Sequence, residues 1–416
     1  VALVELCVRA RYWLTAALVA LASCGQPLEQ NQQAAGNAQA PAGAWSPANE
    51  QALLRAFGEA GRHALDPDDY LAPVRAAAPA AREAALNEAA LAFAGALARG
   101  KTDPARVRRV YTLPRPEPDF AAGLRGALER NDVGGWLAAL APQDAEYRAL
   151  SDAYVQANGQ IAAARGAPPP ALVERARTLA VNLERRRWLE RTPPATRIDV
   201  NTGAAMLTYW RDGAAVDTRR AVVGEPGRET PELASPLYRL VANPTWTVPR
   251  SIESEISPAA MRRGNMERRD GWIVQQPGPR NSLGLVKFDL QNAEQIYLHD
   301  TPAKALFAQD DRHASHGCVR VADALGFAAL IAADQGLTEQ WDEARAKRED
   351  GRPAEGFVPL PRPIPVRLLY HTAYVENGRV VIVPDAYGWD EDVAEGLGLP
   401  RRPHRPGAAR RGDIGP

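Results

Sequence analysis

The stretch "LHDTPAKALFAQDDRHASHGCVRV", Leu298 to Val321, holds three of the chain's six histidines and one of its three cysteines. Imidazole and thiol groups this dense can ligate a metal, attack an electrophile, or do neither. As metal ligands, His313, His316 and Cys318, with His299 as a fourth, fall at spacings that match no common zinc pattern. The chain also has no CxxC and no HExxH. His313, flanked by Asp310, Asp311 and Arg312, reads as a solvated residue on a polar loop; His63, His371 and His404 carry no more information. The third reading is nucleophilic. A cysteine attacks as the thiolate, so it needs a depressed pKa or an adjacent base. "SHGC" sets Gly317 before Cys318, where a tight backbone path can aim successive N–H groups at one point and hold a developing oxyanion. His299, at the end of an apolar strand, supplies the base if the fold brings it back.

Two kinds of element must position these groups. From Ser46 to about Arg191 the pattern is helical. Ser46-Pro47 fits an N-cap and first helical position, and Leu53, Leu54, Phe57 and Leu65 follow with helical spacing. Asp66-Pro67-Asp68-Asp69 opens another helix, and "ALVERARTLAVNLERRRWLE" is the last, with Leu179, Leu183 and Trp188 on or near one face. After Thr192-Pro193-Pro194 alternation takes over, with turns at Thr202-Gly203 and Asp212-Gly213. "AVVG", "LYRLV", "LGLVKFDL" and "QIYLHDT" read as strands, and "PVRLLYHTAYVENGRVVIV" as a hairpin turning at Asn377-Gly378. Between strands, Asn243 to Gly284 is long, polar and broken by Pro and Gly, the composition of a lid or substrate-binding loop or of a surface loop.

Lys plus Arg equals Asp plus Glu, so no global charge argues for nucleic acid. The first segment carries Arg9 and Arg11, an apolar run from Trp13 to Ala22 and then Ser23-Cys24, which suits a secretion signal and is too short to span a bilayer. Its end, "LASC", resembles the bacterial lipobox, in which the cysteine is lipidated. The Gln-, Ala- and Gly-rich stretch that follows reads as a disordered tether. On this reading Cys7 is removed and Cys24 lipidated, and Cys318 is left as the one free thiol in an oxidising compartment.

His299, a gap of 15 residues and then Ser315-His316-Gly317-Cys318-Val319-Arg320 resembles the signature of the YkuD-type L,D-transpeptidases. "NPTWTVPRSI", "QPGPRNSLGLVKF", "IYLHDTP", "VNLERRRWL" and "DAYGWD" resemble further blocks of the family's larger branch, in order. The resemblance implies an α+β multidomain chain: an all-helical scaffold, then a mostly β catalytic domain built as a bent β-sandwich with a capping insertion. The expected organisation is a lipoprotein signal over 1–24, a tether over 25–45, the scaffold over 46–195, the catalytic domain over 196–395 with its insertion at 243–284, and a disordered tail over 396–416. The family's small wall-binding module has no room before "ALVERARTLAVNLERRRWL".

The resemblance also implies a mechanism on peptidoglycan stem peptides. Cys318 attacks the carbonyl between diaminopimelate and D-Ala, and His299, oriented by the backbone carbonyl of Asp300, takes the thiol proton. Backbone N–H groups around His316, Gly317 and Cys318 hold the oxyanion, and Ser315 supports the loop. The thioester then passes to the side-chain amine of a second diaminopimelate, giving a 3-3 cross-link. His316 either positions substrate, stabilises charge or holds the loop. Tyr297 and Arg320 are supporting residues, and Trp246 and Trp272 either line the groove or pack the insertion's own core. No cofactor and no metal are expected. Carbapenems are expected to acylate the thiol, and the protein is expected to act as a monomer anchored by its N-terminal lipid to a membrane, the outer one, facing the periplasm. Two alternatives stay open: a hydrolase of the same fold, in which water accepts the acyl group, and a catalytically silent wall-binding lipoprotein.

Overall fold

The computed structural model describes residues 45–402. The apolar leader, Cys7, Cys24, most of the tether, His404 and the rest of 403–416 lie outside the described residues, while the expected disordered tail starts too early, because Gly396 ends a helix. Among the described residues no helix is long and apolar enough to cross a membrane.

Helices begin where short polar side chains can satisfy the free N–H groups of a first turn. Ser46 accepts from the Asn49 N–H at 3.1 Å and starts α1 (Pro47–Gly58). Next come α2 (Asp68–Ala76), α3 (Arg82–Arg99) and α4 (Pro104–Val107). Asp119, Asp132 and Asp144 cap α5 (Phe120–Glu129), α6 (Val133–Leu140) and α7 (Ala145–Ala162) in the same way. Their apolar faces meet around Leu53, Leu97, Leu124 and Leu150, with Phe57, Tyr70 and Phe93 in mutual ring contact.

Helix α8 (Pro170–Trp188) departs from the sequence expectation of one apolar face. Val181, Leu183 and Trp188 are buried, but so are Asn182, Glu184, Arg185 and Arg187. The charges are paired internally: Glu184 with Arg187, and Arg185 with Asp390 at 2.5 Å. Asn182 accepts from the Thr372 N–H at 2.9 Å. The helix therefore runs through the interior, packed against α7 on one side and, on another, against α12 (Trp389–Gly396) near the end of the described residues.

Beyond α8 lie β1 (Arg197–Asn201), β2 (Met206–Arg211), β3 (Ala214–Gly224) and β4 (Leu233–Ala242). The insertion follows: β5 (Trp246–Thr247), α9 (Pro258–Arg263), β6 (Met266–Arg269) and β7 (Trp272–Gln275). The chain returns as β8 (Val286–Leu290), β9 (Leu298–His299), β10 (His313–Ser315) and β11 (Val319–Val321). Helices α10 (Ala324–Asp334) and α11 (Thr338–Ala346), a small hairpin of β12 (Arg348–Glu349) and β13 (Arg352–Pro353), the long β14 (Gly356–Leu369), and β15 (Ala373–Glu376) with β16 (Arg379–Ile382) complete it. The expected bent sandwich takes the form of one nine-stranded sheet, ordered β10-β3-β11-β9-β8-β4-β14-β1-β2, that closes on itself because β2 also pairs with β3. Its interior holds Ile198, Leu207, Leu240, Phe288 and Val366 against Phe327 and Ile331 of α10.

Helices α10 and α11 have no counterpart among the expected elements. The expected hairpin starts too early: "PVRLL" ends β14, which pairs in parallel with β1. The hairpin itself is β15–β16, turning where Asn377 and Gly378 both have positive φ. The insertion has its own three-stranded sheet, β5-β7-β6, over a core of Trp246, Val248, Ile252, Ile256 and Ile273.

Candidate active site

Sheet register brings the separated residues together. In the parallel pair β9–β11, Arg320 lies opposite His299 and Val319 opposite Leu298. In the antiparallel pair β8–β9, Lys287 lies opposite His299. Strand side chains alternate between faces, so Cys318 shares a face with Arg320, and Tyr297 with His299. The Val319 N–H donates to the Tyr297 carbonyl at 3.1 Å, which sets Cys318 beside Tyr297. One sheet face thus carries Cys318, Tyr297, His299, Lys287 and Arg320.

His299 is fully buried. Its Nδ1 lies 2.5 Å from the carbonyl oxygen of Asp300. A carbonyl only accepts, so this contact puts the proton on Nδ1 and leaves Nε2 as the basic nitrogen. Asp300 is itself held: its N–H donates to the Val286 carbonyl at 2.9 Å, Oδ2 accepts from the Leu285 N–H at 3.0 Å, and Lys304 pairs with Oδ1. Gly284, at φ +63°, leaves the space Asp300 occupies, since a Cβ there would lie 2.3 Å from Oδ2.

Cys318 is buried, and burial pushes its thiol up to about 11. The backbone N–H of Tyr297, the Lys287 charge, the Tyr297 side chain and the Arg320 charge pull the other way without reversing it. Burial, and then the neighbouring thiol, hold the Tyr297 phenol well above its usual pKa, so it stays protonated and donates toward Sγ. Of the two routes to a nucleophile, the resting site lacks a depressed pKa and needs an adjacent base. Alkylation of Cys318 by iodoacetamide should accordingly rise about tenfold per pH unit from about pH 7 to pH 9, because only the thiolate reacts and its fraction grows at that rate below the pKa. A rate already flat above about pH 6 would instead reveal a preformed thiolate–imidazolium pair.

The turn before Cys318 is shaped by Ser315, which is fully buried. Its hydroxyl donates to the Cys318 carbonyl at 2.6 Å and accepts from the Gly317 N–H at 3.2 Å. Gly317 sits at φ +118°, a conformation that disfavours other residues. Its N–H, expected among the groups that hold an oxyanion, is engaged by Ser315. His316 is half-buried, with Nε2 3.3 Å from Glu255 Oε2 of the insertion, and Glu255 also pairs with Arg228. The turn before Cys318 is tied to the insertion through this ring.

His313 is a correction. It is half-buried, with Nδ1 2.9 Å from Asp311 Oδ1 and Nε2 3.0 Å from the Thr202 carbonyl, and its ring meets Tyr387. It pins β10 to the β1–β2 turn. The two insertion tryptophans separate: Trp246 is buried in the insertion's core, while Trp272 is 40% exposed with the Arg250 guanidinium 4.1 Å from its ring centroid. Both border a cleft of about 1230 Å³ that Cys318, His316 and Tyr297 also line, together with Val107 to Val110 of the helical half.

Residues 195–355 match the sequence family described as the L,D-transpeptidase catalytic domain (YkuD). The chain carries a YkuD-type L,D-transpeptidase catalytic domain. Residues 37–153 match the scaffold domain family, so the transpeptidase domain follows a helical scaffold. A putative L,D-transpeptidase of Haemophilus influenzae is 27% identical over 310 residues, which cover 68% of this chain and 60% of that relative. This chain therefore matches somewhat under two thirds of the relative's length. Among solved structures, the L,D-transpeptidase from Mycobacterium smegmatis is 14% identical over 42% of this chain and 58% of its own, with a TM-score of 0.24. L,D-transpeptidase 3 from Mycobacterium tuberculosis, in complex with a faropenem-derived adduct, is 16% identical over 43% of this chain and 62% of its own, also at 0.24.

Sequence reasoning missed Lys287 and Glu255. Lys287 had a legible signal: in "VKFDL" a lysine and an aspartate alternate with apolar residues in a strand that is otherwise core. Its ammonium lies 2.7 Å from Asp289 Oδ1 and 4.4 Å from the centroid of the Tyr297 ring. Glu255 had none, because its contact with His316 joins residues 61 positions apart.

Proposed function

We propose that this protein is a peptidoglycan L,D-transpeptidase that works through a Cys318 thioester. The reading rests on one arrangement: a buried thiol and a buried imidazole on adjacent parallel strands, with the imidazole's Nδ1 fixed on the Asp300 carbonyl. His299 takes the thiol proton as Sγ attacks the carbonyl between diaminopimelate and D-Ala of a donor tetrapeptide stem. With the Gly317 N–H engaged by Ser315, the tetrahedral oxyanion falls to the N–H of Cys318. The C–N bond breaks, D-Ala leaves with the proton from His299, and an acyl thioester remains. A diaminopimelate side-chain amine on a second stem then attacks that thioester, returns its proton through His299 and frees the thiol, giving the 3-3 link. Tyr297 donates to sulfur throughout, which steadies the thiolate as it forms and as it leaves.

Incubating the purified protein with disaccharide tetrapeptides and weighing the products tests the reading. Dimers lacking one D-Ala are expected; tripeptide monomers alone would mean that water is the acceptor and the protein a hydrolase. In the same assay His299→Ala should slow turnover about a hundredfold or more, the usual worth of a positioned base. His316→Ala should be the milder lesion, because that ring acts through Glu255 on the insertion. The reverse order would make His316 the base.

A further inference from the structure

The sheet beside the cleft carries a single row of register partners, of which Phe357, Val241 and Lys287 line the cleft itself. Phe357 on β14 lies opposite Val241 on β4, Val241 opposite Lys287 on β8, Lys287 opposite His299 on β9, and His299 opposite Arg320 on β11. Cys318, on the same face as Arg320, stands at one end of this row. At the other end the cleft is lined by Tyr238, Arg239 and Phe357.

That far end is unusual for a surface. Phe357 is 49% exposed and Tyr238 37% exposed. The Arg239 guanidinium stacks on both rings, 4.7 Å from the Phe357 centroid and 5.4 Å from that of Tyr238. Arg239 is in turn locked on Asp289, with Nε 2.8 Å from Oδ2, and Asp289 is buried. The result is a rigid aromatic platform, preorganised by a buried carboxylate and open to solvent. Its rings offer flat apolar faces, and the guanidinium edge and nearby backbone offer hydrogen bonds. This is the combination that suits the C–H faces and N-acetyl groups of a sugar, and it carries no cationic group free to select an anion.

Neighbouring strands lie about 4.8 Å apart, so along the sheet Arg239 is roughly 14 Å and Phe357 roughly 19 Å from the strand that carries Cys318. A bound stem has its third-residue carbonyl at Sγ and its foot on the glycan chain. Three extended residues reach about 10–11 Å. The γ-linkage of the second residue and the lactyl ether add several more ångströms, about one residue's reach. The sugar that bears the stem then arrives over the platform.

We propose that Tyr238, Arg239 and Phe357 form a saccharide subsite that holds the N-acetylated glycan chain at the foot of the donor stem. The identity of the polymer rests on the transpeptidase reading above; the platform's affinity for sugar does not. The subsite makes the enzyme favour stems still attached to glycan over free peptides.

Two measurements test this. First, the Cys318→Ala protein is titrated with an N-acetylglucosamine tetramer and followed by protein NMR. Binding is expected, weakened roughly tenfold by Phe357→Ala, a loss of the size one stacked ring supplies. Second, the ratio of kcat/KM for disaccharide tetrapeptide to that for free tetrapeptide is compared between parent and Phe357→Ala. The ratio should exceed one in the parent and collapse toward one in the variant. The subsite is overturned if the tetramer does not bind, if neither Phe357→Ala nor Tyr238→Ala weakens it, or if the parent's ratio is already one. Saccharide binding in a protein that forms no thioester would leave the subsite standing and remove the transpeptidase reading instead.

Discussion

Cys318→Ser protein, incubated with a carbapenem and weighed intact, should gain no mass, where the parent protein gains one adduct. Among the described residues Cys318 is the free cysteine, so within them the parent's adduct has one thiol to sit on, and the Cys318→Ser comparison assigns it. The substitution keeps a nucleophile of similar size at the same point, so loss of the adduct is not loss of the fold. It fails for a chemical reason. Burial already holds the thiol up to about 11, and in the proposed mechanism His299 removes its proton as attack begins. A serine hydroxyl is several units harder still to ionise, and the same imidazole cannot bridge that gap. Cross-linking and acylation should both fall roughly a thousandfold or more, the scale seen when a nucleophile acting as part of a unit is lost. An adduct that persists on the variant would mean that another group is acylated, and the assignment of Cys318 would fall with it.

Glu184→Ala should destabilise the protein by about 3–5 kcal/mol, the usual cost of breaking a buried ion pair and leaving one charge behind. Glu184 is fully buried in α8. It pairs with Arg187, accepts from the Thr102 N–H at 2.5 Å and lies 3.4 Å from Trp188 Nε1. Without it, Arg187 keeps only neutral partners, the His63 carbonyl at 2.6 Å and the Tyr147 hydroxyl at 3.1 Å. A urea titration checks this, and Asp152→Ala is the comparison. Asp152 meets Arg62 at 3.6 Å with its side chain 73% exposed, and that loss should stay within about 1 kcal/mol. If the two variants unfold at the same urea concentration, α8 is not the interior strut described above.

The candidate site was legible because its central residues are local. Ser315, His316, Gly317 and Cys318 adjoin, and a glycine before a thiol after a serine has few uses other than a shaped turn. His299 was legible because a histidine closing an apolar strand has to be accommodated inside. The helical half announced itself through its periodicity and through Ser46, a cap that acts within one turn of chain. What the sequence could not fix depends on which surface covers which. The run "NLERRRW" has the charge of a solvated helix face, and only the meeting of α8 with α7, α12 and β15 puts those charges in the interior, paired. Trp246 and Trp272 are the same residue type in one insertion; a three-stranded sheet buries the first and leaves the second at the cleft. Periodicity reports the face on which a side chain stands, and it is silent about the partner strand. The row from Phe357 through Lys287 and His299 to Arg320 exists because β14, β4, β8, β9 and β11 pair in one register across segments far apart in the chain. Register between distant strands is decided by the packing of the whole sheet, so the tertiary structure alone could bring the imidazole of β9 and the thiol that precedes β11 to one sheet face, with an aromatic platform at the far end of the same cleft.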